Sequence, residues 1–290
     1  MSDPAPRPPS TASPGPASTA SPGRPADVTF AAAACIVLAG YNNLAGAQSW
    51  HRRWYPAVNA LAAAALLTAA ATSGLTPADL GLRRDQLRSG IRLGSAAAAP
   101  VVAALALAAL TPATRPLLDD QRVAVLDRRQ LAYHVLLRIP VGTVAWEEAA
   151  FRGVLLAALR RVLAEPAATA VASAVFGIWH IRPTAEALDV NRLASRRGAR
   201  IAHVTTVVAG TAAVGALLSR LRERSGSLAA PVLLHLAANC AAPLASALAR
   251  TLNQPRRLPA TPPGPARRSA GRTPARSRAG AGLRCAGPPP

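Results

Sequence analysis

Seven apolar blocks, near residues 28–48, 57–74, 91–111, 131–163, 166–182, 201–219 and 228–249, recur along a chain of 290 residues. A helix needs about 20 apolar residues to cross a bilayer core. In lipid, every backbone polar group must find its partner within the protein, which a helix achieves inside a single segment. Blocks of this length therefore specify an all-α fold, a polytopic transmembrane helical bundle. Seven spans fit best, and six or eight fit the same blocks. The second block is short, and the fourth is long enough to bend or to begin as an interfacial helix. A soluble, Ala-rich bundle accounts for the apolar content but not for its recurrence at spanning length.

The charge pattern agrees with a membrane setting. The formal charge is +20, from 33 basic residues, all of them Arg, against 13 acidic ones. A nucleic-acid surface interleaves such charge with aromatic platforms. Here aromatics are 3% of the chain, and the Arg gather between the apolar blocks and in the tail. That placement suits loops facing anionic lipid and argues against a nucleic-acid partner. The connectors near 51, 115 and 191 and the C-terminal tail are expected on the cytoplasmic side, although Arg at 83, 84, 160, 161, 220, 222 and 224 on the opposite side weaken the asymmetry. The expected location is the plasma membrane, as a multi-pass protein. Cys35, Cys240 and Cys285 are far apart and show no CxxC spacing, so neither a disulfide framework nor a zinc knuckle is expected. The first 26 residues lack the hydrophobic core of a signal peptide.

Residues 1–26 hold eight prolines and a repeated "TASPG", and residues 251–290 hold eight Arg and no acid. Both tails are expected to be disordered, leaving 27–250 as the membrane-embedded domain. Before the third block, "GLRRDQLRSGIR" at 81–92 predicts an amphipathic helix lying at the interface, with Thr76 as its N-cap and Pro77 at its first position.

Few ionisable residues interrupt the blocks. The exceptions are Glu147, Glu148 and Arg152 in the fourth, His180 at the end of the fifth, and His235 with Asn239 in the seventh. A charge at the centre of a spanning helix costs roughly 2.5–3.5 kcal/mol on insertion scales, so a group of them needs a protein interior or an aqueous cavity. Glu148 and Arg152 are four apart, share a face and can pair. Glu147 is rotated by about 100° from Glu148 and lacks that partner. A carboxylate in apolar surroundings tends toward a raised pKa, which suits a general base. Phe176 and His180 share a face, as do His235 and Asn239. A histidine can hold or protonate an oxygen, and an Asn amide can donate to a developing oxyanion. Taken singly, each cluster also fits a packing role: a buried ion pair, a satisfied histidine at a helix end, or hydrogen-bond glue between helices. His51, His134 and His203 are assigned to that role. One base, two imidazoles and an amide together make a hydrolytic set.

The ordered motifs Glu147-Glu148-x-x-x-Arg152, Phe176-x-x-x-His180 and His235-x-x-x-Asn239 resemble those of the CPBP intramembrane proteases, also called the CAAX-protease and bacteriocin-processing or Abi family. The resemblance covers roughly residues 75–250, and "DLGLRRDQLRSGIRLG" at 79–94 looks like the interfacial segment that often precedes the family core. It implies a helical membrane protease whose site opens toward one face of the bilayer. Carried over, Glu147 is the general base, His180 and His235 position the water or stabilise charge, Asn239 helps bind the oxyanion, and Glu148 with Arg152 holds the site together. The implied partners are a peptide or protein substrate, membrane-associated or prenylated, and membrane lipids. The cofactor is open between none and a divalent metal such as zinc. A metal would take Glu147, His180 and His235 as a two-His-one-Glu set with room for water, although there is no HExxH helix. The long, Arg-rich 183–200 connector and the tails depart from the family setting and leave the substrate open.

Two other function classes use the same residues. Intramembrane Glu, His and Arg also mark ion and proton pathways, but no internal repeat of the transporter kind is present. A non-catalytic scaffold tethering partners through its tails would keep its function after loss of Glu147, whereas a protease would lose it.

Overall fold

The computed structural model describes residues 24–193 and 196–253, and all its regular elements are helices. They are α1 (Pro25–Leu44), α2 (Tyr55–Thr72), α3 (Leu87–Leu110), α4 (128–160), α5 (Glu165–Trp179), α6 (Ile181–Asn191), α7 (Arg197–Ser225) and α8 (Ala229–Asn253), joined by short turns and single helical turns. The tails fall outside the described residues, except that 25–26 open α1 and 251–253 close α8.

Among the described residues, five helical stretches are long and apolar enough to cross a membrane: Pro25–Ala47, Tyr55–Thr72, Arg84–Leu110, Arg197–Ser225 and Ala229–Asn253. The chain is an integral membrane protein. Alkaline carbonate extraction is accordingly expected to leave it in the membrane pellet, and its release into the supernatant would overturn this assignment. The other two apolar blocks are helical but different in kind. The fourth is α4, a single helical run that carries the buried charges. The fifth is α5, whose 15 residues extend about 22 Å, short of a hydrocarbon core of about 30 Å.

Local signals set the boundaries. Pro25, Pro56 and Pro166 lie in the first turns of α1, α2 and α5, where a missing N–H costs nothing. Asp127 and Gln130 form a reciprocal capping box at the start of α4. The segment at 81–92 is divided. Thr76 and Asp79 close a tight turn on each other, with Thr76 N–H donating to Asp79 Oδ2 at 2.8 Å and Asp79 N–H to Thr76 Oγ1 at 3.2 Å. Gly81 then adopts φ +74, and a Cβ there would collide with the buried Arg222 guanidinium. The chain turns at this point and becomes helical again at Arg84, so Leu87–Arg92 are the leading turns of α3 rather than a separate interfacial helix.

Apart from the short α6, which begins and ends at one end of the bundle, successive helices run in opposite directions. At one end of the bundle, Arg161 donates to Ser73 O (2.9 Å), Gly74 O (2.5 Å) and Asp27 (3.2 Å), tying α4 to the end of α2 and the start of α1. Glu223 of α7 meets Arg160 at 2.8 Å and accepts from Thr169 of α5 at 2.9 Å. At the other end, Asn42 and Asn43 of α1 donate to Trp179 O and Ile178 O of α5, Gln121 N–H donates to Asn191 of α6, and Arg115 donates to Asn253 of α8. The connectors at 48–54 and 111–127, the end of α6, the start of α7 and the end of α8 therefore share one end.

The core is built around α4. Helices α2 and α8 contact its first half and continue along its second, where α1, α5 and α7 join. Surrounded on all sides, Ala150, Phe151 and Val154–Leu159 are buried. Across residues 134–145 and 148–155, α4 is wound in the wide π form, with Pro140 inside the first stretch. Proline has no N–H to donate and crowds the preceding turn of an α-helix, and a local change of winding is the usual accommodation. Helix α3 packs closely on α8, where a Cβ at Gly94 would lie 2.7 Å from Ala230 O. His51 is fully buried in a polar knot. Asn59 Oδ1 meets Tyr41 Oη at 2.8 Å and His51 Nε2 at 3.1 Å, and Asn59 Nδ2 donates to Gly142 O at 2.6 Å. This histidine thus has the packing role assigned to it.

Candidate active site

Glu147, Glu148 and Arg152 lie in the buried middle of α4, at 4%, 0% and 1% exposure. Such burial is tolerable only if the charges are compensated. Arg152 Nη1 donates to Glu148 Oε1 at 3.1 Å, the pair expected from their spacing. Its Nη2 donates to Gly215 O of α7 at 3.4 Å, and its guanidinium lies 4.0 Å from the Phe176 ring centroid.

Glu148 has a second partner. His235 Nδ1 is 2.7 Å from the same Oε1. Glu148 is thus shared between Arg152 on its own helix and His235 on α8. The other ring nitrogen of His235, Nε2, lies 3.8 Å from Glu147 Oε2. The imidazole is therefore strung between the two adjacent carboxylates.

Glu147 is held by a contact that its spacing did not predict. Trp179 Nε1–H donates to Glu147 Oε1 at 3.0 Å. Trp179 is itself fixed by Tyr41, stacked at 5.7 Å and 5°, and by Phe151, edge-on at 5.4 Å. One carboxylate oxygen is thereby pinned. Among the described residues, Glu147 Oε2 and Glu148 Oε2 are buried with no hydrogen-bond partner. Buried polar atoms are nearly always satisfied, so unpartnered ones ask for a functional account. The "FGIWH" motif contains Trp179 in plain sight, but its partner depends on how α5 is rotated against α4.

His180 ends α5, where its Nδ1 is 2.7 Å from Phe176 O. Its ring meets Phe176 edge-on at 4.6 Å, and Phe176 meets His235 edge-on at 6.4 Å. One phenyl ring thus touches His180, His235 and Arg152. His180 and Asn239 line a cavity of about 860 Å³ that opens at the end of the bundle formed by 111–127, α6 and the end of α8. Thr143, Arg138, His134 and His203 line it too, whereas Glu147, Glu148 and His235 are buried and do not line it. The three motifs therefore meet at Phe176, with two of their residues on the cavity and the rest buried beside it. Among the described residues, no three His, Cys, Asp or Glu side chains are grouped to hold a metal ion, and Glu147, His180 and His235 are not gathered in that way.

Neither a curated protein nor a solved structure matches the chain. The family model described as "Type II CAAX prenyl endopeptidase Rce1-like" matches residues 129–241. That stretch starts at the beginning of α4, ends within α8 and contains all three motifs. Over these residues the motif-bearing core of the chain is similar to the Rce1-like CAAX prenyl endopeptidases.

Proposed function

We propose that the protein is an intramembrane endopeptidase of the CAAX-protease type that hydrolyses a peptide bond with water activated by Glu147. The observation that carries this reading is the buried Arg152–Glu148–His235–Glu147 chain, ending on a carboxylate oxygen without a hydrogen-bond partner. Arg152 Nη1 donates to Glu148 Oε1, and the same oxygen accepts the Nδ1 proton of His235. His235 Nε2 then faces Glu147 Oε2, and a separation of 3.8 Å lets one water contact both. Trp179 turns Glu147 so that Oε2 is the oxygen presented.

In the reaction, Glu147 takes a proton as the water oxygen bonds to the scissile carbonyl carbon. The carbonyl oxygen becomes an oxyanion, to which the Asn239 amide and His180 donate from the cavity wall. Collapse breaks the C–N bond, and the leaving amine takes the proton back from Glu147. The products are a new carboxylic acid and a new amine, which then exchange a proton to become a carboxylate and an ammonium, with the catalyst unchanged. The substrate class drawn from the family match is a prenylated peptide, carried to the site from the membrane or its surface.

The test uses the full chain reconstituted in lipid with a prenylated CAAX-type peptide in ¹⁸O-labelled water. A hydrolase yields two fragments with ¹⁸O in the new carboxyl group. A transporter or scaffold leaves the peptide whole, and that outcome would remove the protease reading.

A further inference from the structure

The cavity beside the motifs contains charges that do not balance. It is lined by two acids, Asp119 and Asp120, and two arginines, Arg122 and Arg138. Both acids are already compensated. Asp119 is bonded to Arg250 at 2.5 Å, and Asp120 to Arg122 at 2.6 Å. Burial alone raises the Asp120 carboxyl, but its side-chain and backbone contacts with Arg122 outweigh burial and hold it below its ordinary value. It is therefore ionised and satisfied by Arg122.

Arg138 has no such partner. Among the described residues, no carboxylate pairs with it, and its guanidinium lies instead over the Tyr55 ring at 4.1 Å. Tyr55 is in turn anchored to Thr143, 3.2 Å away. Outside the described residues the sequence offers a single acid, Asp3. Arg138 sits on α4, half-buried, on the same cavity wall as His180 and Asn239. A half-buried arginine on a cavity wall with no carboxylate partner is free to take an anionic group from a ligand. Its planar fork matches a carboxylate in bidentate fashion, and the ring behind it holds that fork in place.

We propose that Arg138 is the receptor for the free C-terminal carboxylate of the peptide that enters this cavity. This rests on the peptidase reading for what enters, but not for what Arg138 does. Ligands carrying a C-terminal carboxylate are selected over their amides, and the site thereby favours cuts near a free chain end over cuts inside a long loop.

The test measures binding, so that catalysis is not required. Full-chain Glu147→Gln is reconstituted in lipid nanodiscs. Fluorescence anisotropy then follows a labelled prenylated peptide ending in a free carboxylate, and the same peptide ending in an amide. The acid peptide is expected to bind about tenfold or more tightly than the amide. Adding Arg138→Gln should remove that preference while leaving the affinity for the amide unchanged, and Arg138→Lys should retain part of it. Equal binding of acid and amide to the Glu147→Gln protein overturns the proposal whether or not any Arg138 variant folds. So does an equal loss for both peptides on Arg138→Gln. An amidated peptide that regains Arg138-dependent binding when Asp is placed in its chain would also overturn it, because a side-chain carboxylate would then serve as well. If the acid peptide binds with the Arg138-dependent preference but wild-type protein never cleaves it, the carboxylate site stands and the peptidase reading falls.

Discussion

Glu147→Gln is expected to lower peptide turnover by about three orders of magnitude and leave the fold intact. The size reflects the role of the residue. A positioned general base typically contributes about 10²–10⁴ in rate. The substitution keeps the volume of the side chain and an oxygen able to accept from the Trp179 indole, so the aromatic packing around Tyr41 and Phe151 is undisturbed. The loss is confined to the ability of Oε2 to take a proton beside His235. Thermal unfolding in detergent should therefore be close to that of wild type while kcat collapses. A variant that keeps turnover within about tenfold of wild type would remove Glu147 from the chemistry.

Arg152→Ala should instead damage the fold. Arg152 is 1% exposed, bonded to Glu148 and seated over Phe176. Removing one member of a buried pair typically costs about 3–5 kcal/mol, because the other charge stays behind. Here Glu148 would keep only His235. The variant is expected to express poorly or unfold at markedly lower temperature, with activity lost as a consequence. Arg152→Lys should fall between, since a single ammonium cannot reproduce a guanidinium that bonds Glu148 and Gly215 O while lying flat on a ring. A folded, thermally stable and inactive Arg152→Ala would instead give Arg152 a direct part in the reaction.

The helices were legible because each spanning segment has to satisfy its own backbone, which leaves a block of apolar residues in the sequence. The Glu148–Arg152 pair was legible for a similar reason: it is local, four residues apart on one face. Glu147 was legible only in part. Its lack of an arginine partner comes from helix rotation, but the Trp179 hydrogen bond depends on how α5 is set against α4. The bond from His235 to Glu148 is equally invisible, since 87 residues separate the two. Spacing alone assigns Glu148 one partner where the fold supplies two. The 81–92 stretch misled for a different reason. Its Arg and Leu periodicity is compatible with an interfacial helix, yet Gly81 turns the chain over Arg222, and the residues beyond that turn already lead into α3. The π winding of α4 left no sequence signal beyond Pro140.

Among the described residues, the cavity opens at one end of the bundle, with exposed Leu117 and Leu193 on its rim and Asn239 and His180 on its wall. At the opposite end, the Arg161, Glu223 and Arg222 contacts tie the helices together. Traffic through such a protein has a direction without having a passage. On the proposed peptidase reading, a chain that enters the cavity would leave by the mouth it came in through, and both halves of a cut chain would return to the compartment of origin. The protein would separate a substrate into two pieces without moving either piece across the bilayer.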